Sequence, residues 1–250
     1  MLGKLFRRKV EAVAPRTPAG TRVYAVGDIH GRVDLLRQLH QLIHEDAYAR
    51  QAPRNVVVYL GDYVDRGPRS DQVIDTLIEQ PLPGFEHVHL VGNHEESMLR
   101  FLVDPEIGPA WLEYGGSATC HSYGVKPPDP GSARDLLRAQ QQLRDKVPER
   151  HLQFLRALAS WHEEGDYFFV HAGVRPGVPL HAQASEDLLW IRREFLDSTV
   201  EHGKIVVHGH TITELPEVRR NRIGIDTGAF ASGRLTCLVL EDESWSFIQT

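Results

Sequence analysis

The feature that most constrains this chain is a set of five short polar segments, each standing where a run of β-branched and apolar residues stops. They are Gly27-Asp28-Ile29-His30-Gly31, Gly61-Asp62-Tyr63-Val64-Asp65-Arg66-Gly67, Gly92-Asn93-His94-Glu95, His171-Ala172-Gly173 and His208-Gly209-His210. The runs before them cover residues 23–26, 56–60, 88–91, 167–170 and 205–207. Such runs read as strands, and glycine permits the tight turn that follows each of them. Loops that leave parallel strands collect at one edge of a sheet, the edge where α/β folds bind ligands. Residues far apart in the chain are thereby expected to meet.

What meets there is a mixture of carboxylate, amide oxygen and imidazole, a donor set suited to Mn²⁺, Fe, Zn²⁺ or Mg²⁺ rather than to thiolate chemistry. A single carboxylate can bridge two cations, and a cation pair about 3.5–4 Å apart polarises a phosphoryl group and acidifies a shared water. Asp62, central among the five segments, is the bridging candidate.

Between the motifs the pattern alternates. Helices are expected over residues 32–50, 71–79 and 95–103, and Leu35, Leu36, Leu39, Leu42 and Ile43 give the first an apolar stripe. The alternation pauses over residues 104–165, read as a helical insertion with helices at 133–146 and 148–161 and a Gly/Pro-rich loop at 115–131. Ser132 with Asp135 makes a capping pair, and Pro148 suits a first helical position. Trp111, Tyr114 and Tyr123 lie in the insertion, where aromatic rings stack on ligands or pack into the core. A further helix is expected at 186–196, and strands at 223–226, 235–240 and 245–248.

The ordered series GDIHG, GDYVDRG, GNHE, HAG and HGHT, spanning Gly27 to Thr211, resembles the metal-dependent phosphoprotein phosphatases, and among them the bacterial and phage serine/threonine type. The resemblance implies an α/β sandwich of two mixed sheets flanked by helices, within the calcineurin-like metallophosphoesterase superfamily. It implies a first metal held by Asp28, His30 and Asp62, and a second held by Asp62, Asn93, His171 and His210. His94 would be the general acid, oriented by Asp65, with phosphate bound by Arg66 and by Arg192 of the segment Leu189-Trp190-Ile191-Arg192; Arg193 is the competing register. The implied reaction is phosphoester hydrolysis by direct in-line attack of metal-bound hydroxide, with two divalent ions, Mn²⁺ first. The expected substrate is a phosphorylated protein or peptide or a small phosphoester. The same motifs serve a symmetrical bis(5'-nucleosyl)-tetraphosphatase, which stays open as the alternative.

Elementary chemistry supports these assignments separately. Arg offers a planar, permanently charged fork to two phosphate oxygens. An imidazolium held by a carboxylate can protonate a leaving alkoxide. Asp226, near the end of a late strand, is expected only to support the ligands from behind, and His208 to be a buried structural histidine. His40 and His44 have no glutamate between them as a zincin pair requires, and read as a solvated helix face. His87 and His89 alternate with Val88 and Leu90, as on a strand with one polar face.

Composition closes off other classes. With 250 residues, 41% of them hydrophobic, one substantial core is possible, and a single domain over residues 23–250 is expected. A net charge of −6 argues against a nucleic-acid polymer as partner. Two cysteines make no disulfide framework and fit a reducing, cytoplasmic setting. Cys120 is followed six positions later by Lys126, not Arg, so it lacks the pattern of a thiol phosphatase. Residues 1–22 read as a flexible basic tail without the apolar centre of a secretory signal, and no stretch approaches a membrane span. Nothing calls for an obligate partner.

Overall fold

The computed structural model describes residues 14–250. Ten strands form two five-stranded mixed sheets. In the first, β1 (Thr21–Val26), β2 (Arg54–Tyr59) and β3 (Phe85–His89) run parallel, while β9 (Thr236–Glu241) and β10 (Ser244–Gln249) add antiparallel strands beyond β1. In the second, β5 (Tyr167–Val170), β6 (Ile205–His208) and β8 (Arg222–Gly224) run parallel between antiparallel edges β4 (Trp161–Glu164) and β7 (Glu217–Val218).

Because side chains alternate across a strand, each strand serves two cores. Val23 and Ala25 of β1, Val56 and Val58 of β2, Phe169 of β5, Val207 of β6 and Leu238 of β9 meet between the sheets. Tyr24, Val26, Val57 and Tyr59 face the opposite way, against α1 (Val33–Arg50) and α2 (Ser70–Glu79). Phe168, Val170 and Val206 do the same on the second sheet, against Leu188 of α8 (Ser185–Trp190) and Phe195 of α9 (Arg193–Leu196). The expected four-layer sandwich is therefore present, and the interior strands β1, β2, β5, β6 and β9 carry apolar residues on both faces.

The chain departs from expectation in several places. Thr21 and Arg22, assigned to a tail, begin β1, and Thr17 is already buried; the remainder of that tail, residues 1–13, lies outside the described residues. After α3 (Asn93–Val103), the loop expected at 115–131 is present over 123–131, but its first half is helical: α4 (Gly108–Trp111) passes through a kinked π turn, Leu112–Gly116, into α5 (Ser117–Ser122). Then follow α6 (Ala133–Lys146), capped by Ser132 as expected, and α7 (Glu149–Arg156), which stops short of Trp161. Trp161 opens β4 instead. The helix expected at 186–196 is broken at Ile191 and Arg192 into α8 and α9. A last short helix, α10 (Ala229–Ser232), follows β8.

His40 is not solvated. It is buried under β2, with its Nε2 2.9 Å from the Tyr59 hydroxyl, and His89 stacks on the same Tyr59 ring. No helix among the described residues is long and apolar enough to cross a membrane.

Candidate metal centre

Four of the five motif loops leave the carboxyl ends of β1, β2, β5 and β6, and the remaining one follows Leu90 just beyond β3. The loops are laced together by their backbones. Ile29 and His30 donate to the Asp62 carbonyl at 3.1 and 2.8 Å, and Gly31 donates to Tyr63 at 2.8 Å. Glu95, fully buried, accepts from the backbone N–H groups of Asp62, Tyr63, Val64 and Gly92 at 2.8–3.2 Å and so ties the second loop to the third. Two glycines admit ligands that a side chain would displace: a Cβ on Gly92 would collide with Asp62 Oδ1, and one on Gly209 with Asp28 Oδ1. His30, Asp62, Asp65, Arg66 and His210 all have positive φ, from 45° to 71°. This is a cluster of left-handed residues other than glycine where loops must turn sharply to present their side chains.

The result is two groups of buried ligand atoms that share Asp62. One contains His30, Asp62 and His94, the other Asp62, His171 and His210, with the atoms of each group within 4.8 Å of one another. Asp62 Oδ2 is 3.5 Å from His30 Nε2, and Asp62 Oδ1 is 3.4 Å from His171 Nε2. His30 Nδ1 donates to the Val64 carbonyl and His171 Nδ1 to the Leu60 carbonyl, both at 2.8 Å. A carbonyl can only accept, so each Nδ1 carries the proton and each Nε2 turns a lone pair inward. That lone pair of His171 lies 2.9 Å from Asn93 Oδ1, another acceptor. His210 Nδ1 stands 3.2 Å from the same His171 nitrogen, so two imidazoles and an amide oxygen converge where a cation would be held.

Electrostatics agree. Burial pushes the His30 imidazole down to about 3 and His210 down to about 2, and it also lowers His171, which keeps all three neutral as metal ligands must be. Burial pushes the Asp62 carboxyl up, but His171, His94, His30 and His210 around it outweigh burial and hold it below the ordinary range. Asp28 is the reverse case: burial, then Asp226 and Asp62, raise it well above the ordinary range. Its Oδ2 accepts the His210 N–H at 2.9 Å and its Oδ1 has no partner. No Lys or Arg pairs with Asp28 or Asp62 among the described residues, so a divalent cation is the charge this pocket lacks.

His94 stands apart from the ligands in its bonding. Its Nδ1 donates to Asp65 Oδ2 at 2.7 Å, and its Nε2 points back toward Asp62 Oδ2 at 3.8 Å. Burial opposes its charge, but Asp62 and Asp65 prevail and raise its pKa. Arg66 Nη1 lies 2.9 Å from His30 Nε2, with the guanidinium 4.9 Å over the Phe230 ring. Arg192 donates to the His210 carbonyl and to Thr211 Oγ1 at 3.3 and 3.1 Å, whereas Arg193 is exposed and makes no side-chain bond among the described residues. The expected residues gather here with one difference, that the first group contains His94 and not Asp28, which instead bonds to the His210 N–H; Arg192, not Arg193, bonds to the His210 loop. His208 is buried against Phe195 and belongs to neither ligand group.

Several contributors had no role in the sequence reading. Glu95 stood inside a recognised motif, and only its four backbone partners reveal its task. Phe230 follows Gly228 and is visible only once α10 reaches His30, 5.5 Å away ring to ring. Of the three insertion aromatics, Tyr123 is buried in the helical layer, and Tyr114 flanks His94 and Trp190 with ring centroids 6.5 and 5.9 Å away. Trp111 is wholly buried and bonds to Asp65.

A four-layer α/β sandwich with a carboxylate shared between two ligand groups defines the class of metal-dependent phosphoesterases. The sequence pattern of the calcineurin-like phosphoesterases matches residues 21–228, and the chain belongs to that family. It is a hydrolase of phosphoesters with a divalent metal centre. It is 24% identical over 234 residues to the asymmetrical bis(5'-nucleosyl)-tetraphosphatase PrpE of Anoxybacillus flavithermus, covering 85% of this chain and 88% of that one. It is 27% identical over 223 residues to serine/threonine-protein phosphatase 2 of Escherichia coli, covering 86% and 90%. Among solved structures, a candidate diadenosine tetraphosphatase superposes with a TM-score of 0.62 at 20% identity, over 95% of this chain and 98% of that one. That last likeness concerns the fold.

Proposed function

We propose that this enzyme hydrolyses phosphomonoesters at a centre of two divalent cations, and that phosphoserine and phosphothreonine in proteins or peptides are its main substrates. One observation carries the reading: the buried His94–Asp65 pair set beside the ligand groups. A serine or threonine alkoxide is a strongly basic leaving group that needs a proton as the P–O bond breaks, whereas a nucleoside diphosphate leaves as a stable anion. A site equipped with a well-held acid is matched to the alkoxide.

Asp28, His30 and Asp62 would hold one cation, and Asp62, Asn93, His171 and His210 the other, with manganese the first choice. Bound there, the cations supply a polarised phosphoryl group and an activated water for in-line attack. Arg66 and Arg192 clamp the non-bridging phosphate oxygens with charge-assisted hydrogen bonds. Asp65 keeps the His94 proton on Nδ1 and so leaves Nε2 to deliver its proton to the leaving oxygen. The net charge of −6 supports a protein or small-molecule substrate over a nucleic-acid polymer, and two buried free cysteines support a cytoplasmic setting.

A second reading, dinucleoside tetraphosphate hydrolysis, draws support from Tyr114 and Trp190, whose rings border His94 and His210 and could stack on a base. It also accords with the name of the Anoxybacillus relative, although that enzyme is asymmetrical and the alternative read from the motifs is symmetrical. The test compares kcat/KM on phosphoserine and phosphothreonine peptides and on diadenosine tetraphosphate in one Mn²⁺ buffer, with nucleotide products separated by chromatography. Faster peptide turnover is expected. A preference above about tenfold for the dinucleotide, a difference of 1.4 kcal/mol in the barrier, would promote the second reading.

A further inference from the structure

We propose that Trp111 and Thr119, contributed by the helical insertion, are positioning residues that hold Asp65 so that His94 aims its acid at the leaving group. The inference rests on the reading of His94 as the acid. Asp65 has no solvent exposure, and each of its carboxylate oxygens is engaged by the insertion. Oδ2 accepts from His94 Nδ1 at 2.7 Å and from Trp111 Nε1 at 2.9 Å; Oδ1 accepts from the Thr119 hydroxyl at 2.6 Å. The Asp65 N–H returns to Thr119 Oγ1 at 2.9 Å and Ser70 Oγ at 3.1 Å, and the two hydroxyls are 2.9 Å apart.

Donor and acceptor counting gives this network one direction. The Thr119 proton is committed to Asp65 Oδ1, so the Ser70 hydroxyl donates to Thr119 Oγ1. Trp111 has only its N–H to give. Every partner of the carboxylate is a donor, Asp65 can only accept, and the Nδ1 proton of His94 is held in place.

The segment around them is shaped for the task. Trp111 stacks on Phe101 at 4.9 Å, and Gly116 packs so closely on its indole that a Cβ there would come within 2.5 Å. At the kink between α4 and α5, Gly115 has φ 112°, and its carbonyl accepts the Arg66 N–H at 3.2 Å. The same few residues thus fix the acid through Asp65 and brace the backbone of a phosphate-clamp residue. The insertion builds the site from its leaving-group side.

The decisive variants are Trp111→Phe, which keeps a ring and removes the N–H, and Thr119→Val, with Thr119→Ser restoring the hydroxyl. Each is assayed with a phosphothreonine peptide and with p-nitrophenyl phosphate, whose leaving group scarcely needs a proton, after its thermal melt and metal content are shown to match the parent. Trp111→Phe and Thr119→Val are expected to lower kcat on the peptide by roughly 10- to 100-fold, the scale of a misplaced catalytic group, with KM little changed and a loss under about threefold on p-nitrophenyl phosphate. Thr119→Ser should recover most of the peptide activity. Added to His94→Asn, Trp111→Phe should cause no further loss, because both act through one group. If His94→Asn slows both substrates equally, the acid reading itself fails. If His94→Asn discriminates between them while Trp111→Phe and Thr119→Val slow both equally or neither, the positioning role is refuted. Should Trp111→Phe not fold, the Thr119 pair decides alone.

Discussion

Replacing Glu95 by Gln exchanges one acceptor oxygen for an NH₂ and changes almost no volume, yet it should unsettle both the fold and the centre. Glu95 Oε2 takes the N–H groups of Asp62 and Gly92 at 2.8 and 2.9 Å, and Oε1 takes those of Tyr63 and Val64 at 2.8 and 3.2 Å. A carboxamide has one acceptor oxygen, so it can satisfy two of these four buried donors while its own NH₂ is turned against the other two. Each stranded donor costs about 1–3 kcal/mol, giving a loss of roughly 2–6 kcal/mol. For a chain of this length that corresponds to a fall in Tm of about 5–20 °C. The loops bearing Asp62 and Asn93 lose their common anchor, so metal affinity should fall with stability. Urea unfolding followed by circular dichroism in EDTA gives the first quantity, and metal analysis after dialysis gives the second. Glu113→Gln, at an exposed position, is the control and should stay within about 0.5 kcal/mol of the parent. A Glu95→Gln protein as stable as that control would mean that the four amides do not depend on the carboxylate.

Asp62→Asn should strip metal from both ligand groups at once, and chelated parent protein should regain activity with Mn²⁺; full activity in a verified metal-free sample would overturn the metal assignment. Arg66→Ala and Arg192→Ala should each weaken inhibition by inorganic phosphate by about 1.5–3 kcal/mol, with Arg193→Ala unaffected, as read by inhibition constants. Burial pushes the His40 and His89 imidazoles down to about 4, with the nearby His87 adding to the effect. The unfolded chain therefore binds more protons than the folded one between pH 6.5 and 4, and stability should fall as pH drops through that window. His40→Gln should flatten the fall in urea midpoint between pH 7 and 4.5, and an unchanged slope would exonerate His40.

How far the sequence reaches can be judged element by element. The parallel strands of both sheets and the candidate ligands at their ends were legible because apolar runs and motif residues coincide, as at Val58-Tyr59-Leu60 before Asp62. The insertion was less so. Gly115 and Gly116 suggest a loop, but they serve close approach to Arg66 and Trp111 inside a kinked helix, a tertiary reason that composition does not carry. The break at Ile191–Arg192 has neither Gly nor Pro to announce it; Arg192 leaves the helical region, with φ −131° and ψ −98°, where its side chain reaches His210 and Thr211. Trp161–Glu164 lacks an apolar run, and its strand identity comes from pairing with β5. His40 looked solvated because the hydroxyl that receives it, Tyr59, is nineteen positions away.

The left-handed backbone at His30, Asp62, Asp65, Arg66 and His210 bears on the history of such a chain. Each is a conformation that glycine adopts freely and these residues adopt at a cost of about 1 kcal/mol or more. A lineage relieved of its chemistry would therefore find more durable folds by drifting toward glycine at these five positions. Holding these five side chains where they stand thus runs against the preference of the backbone.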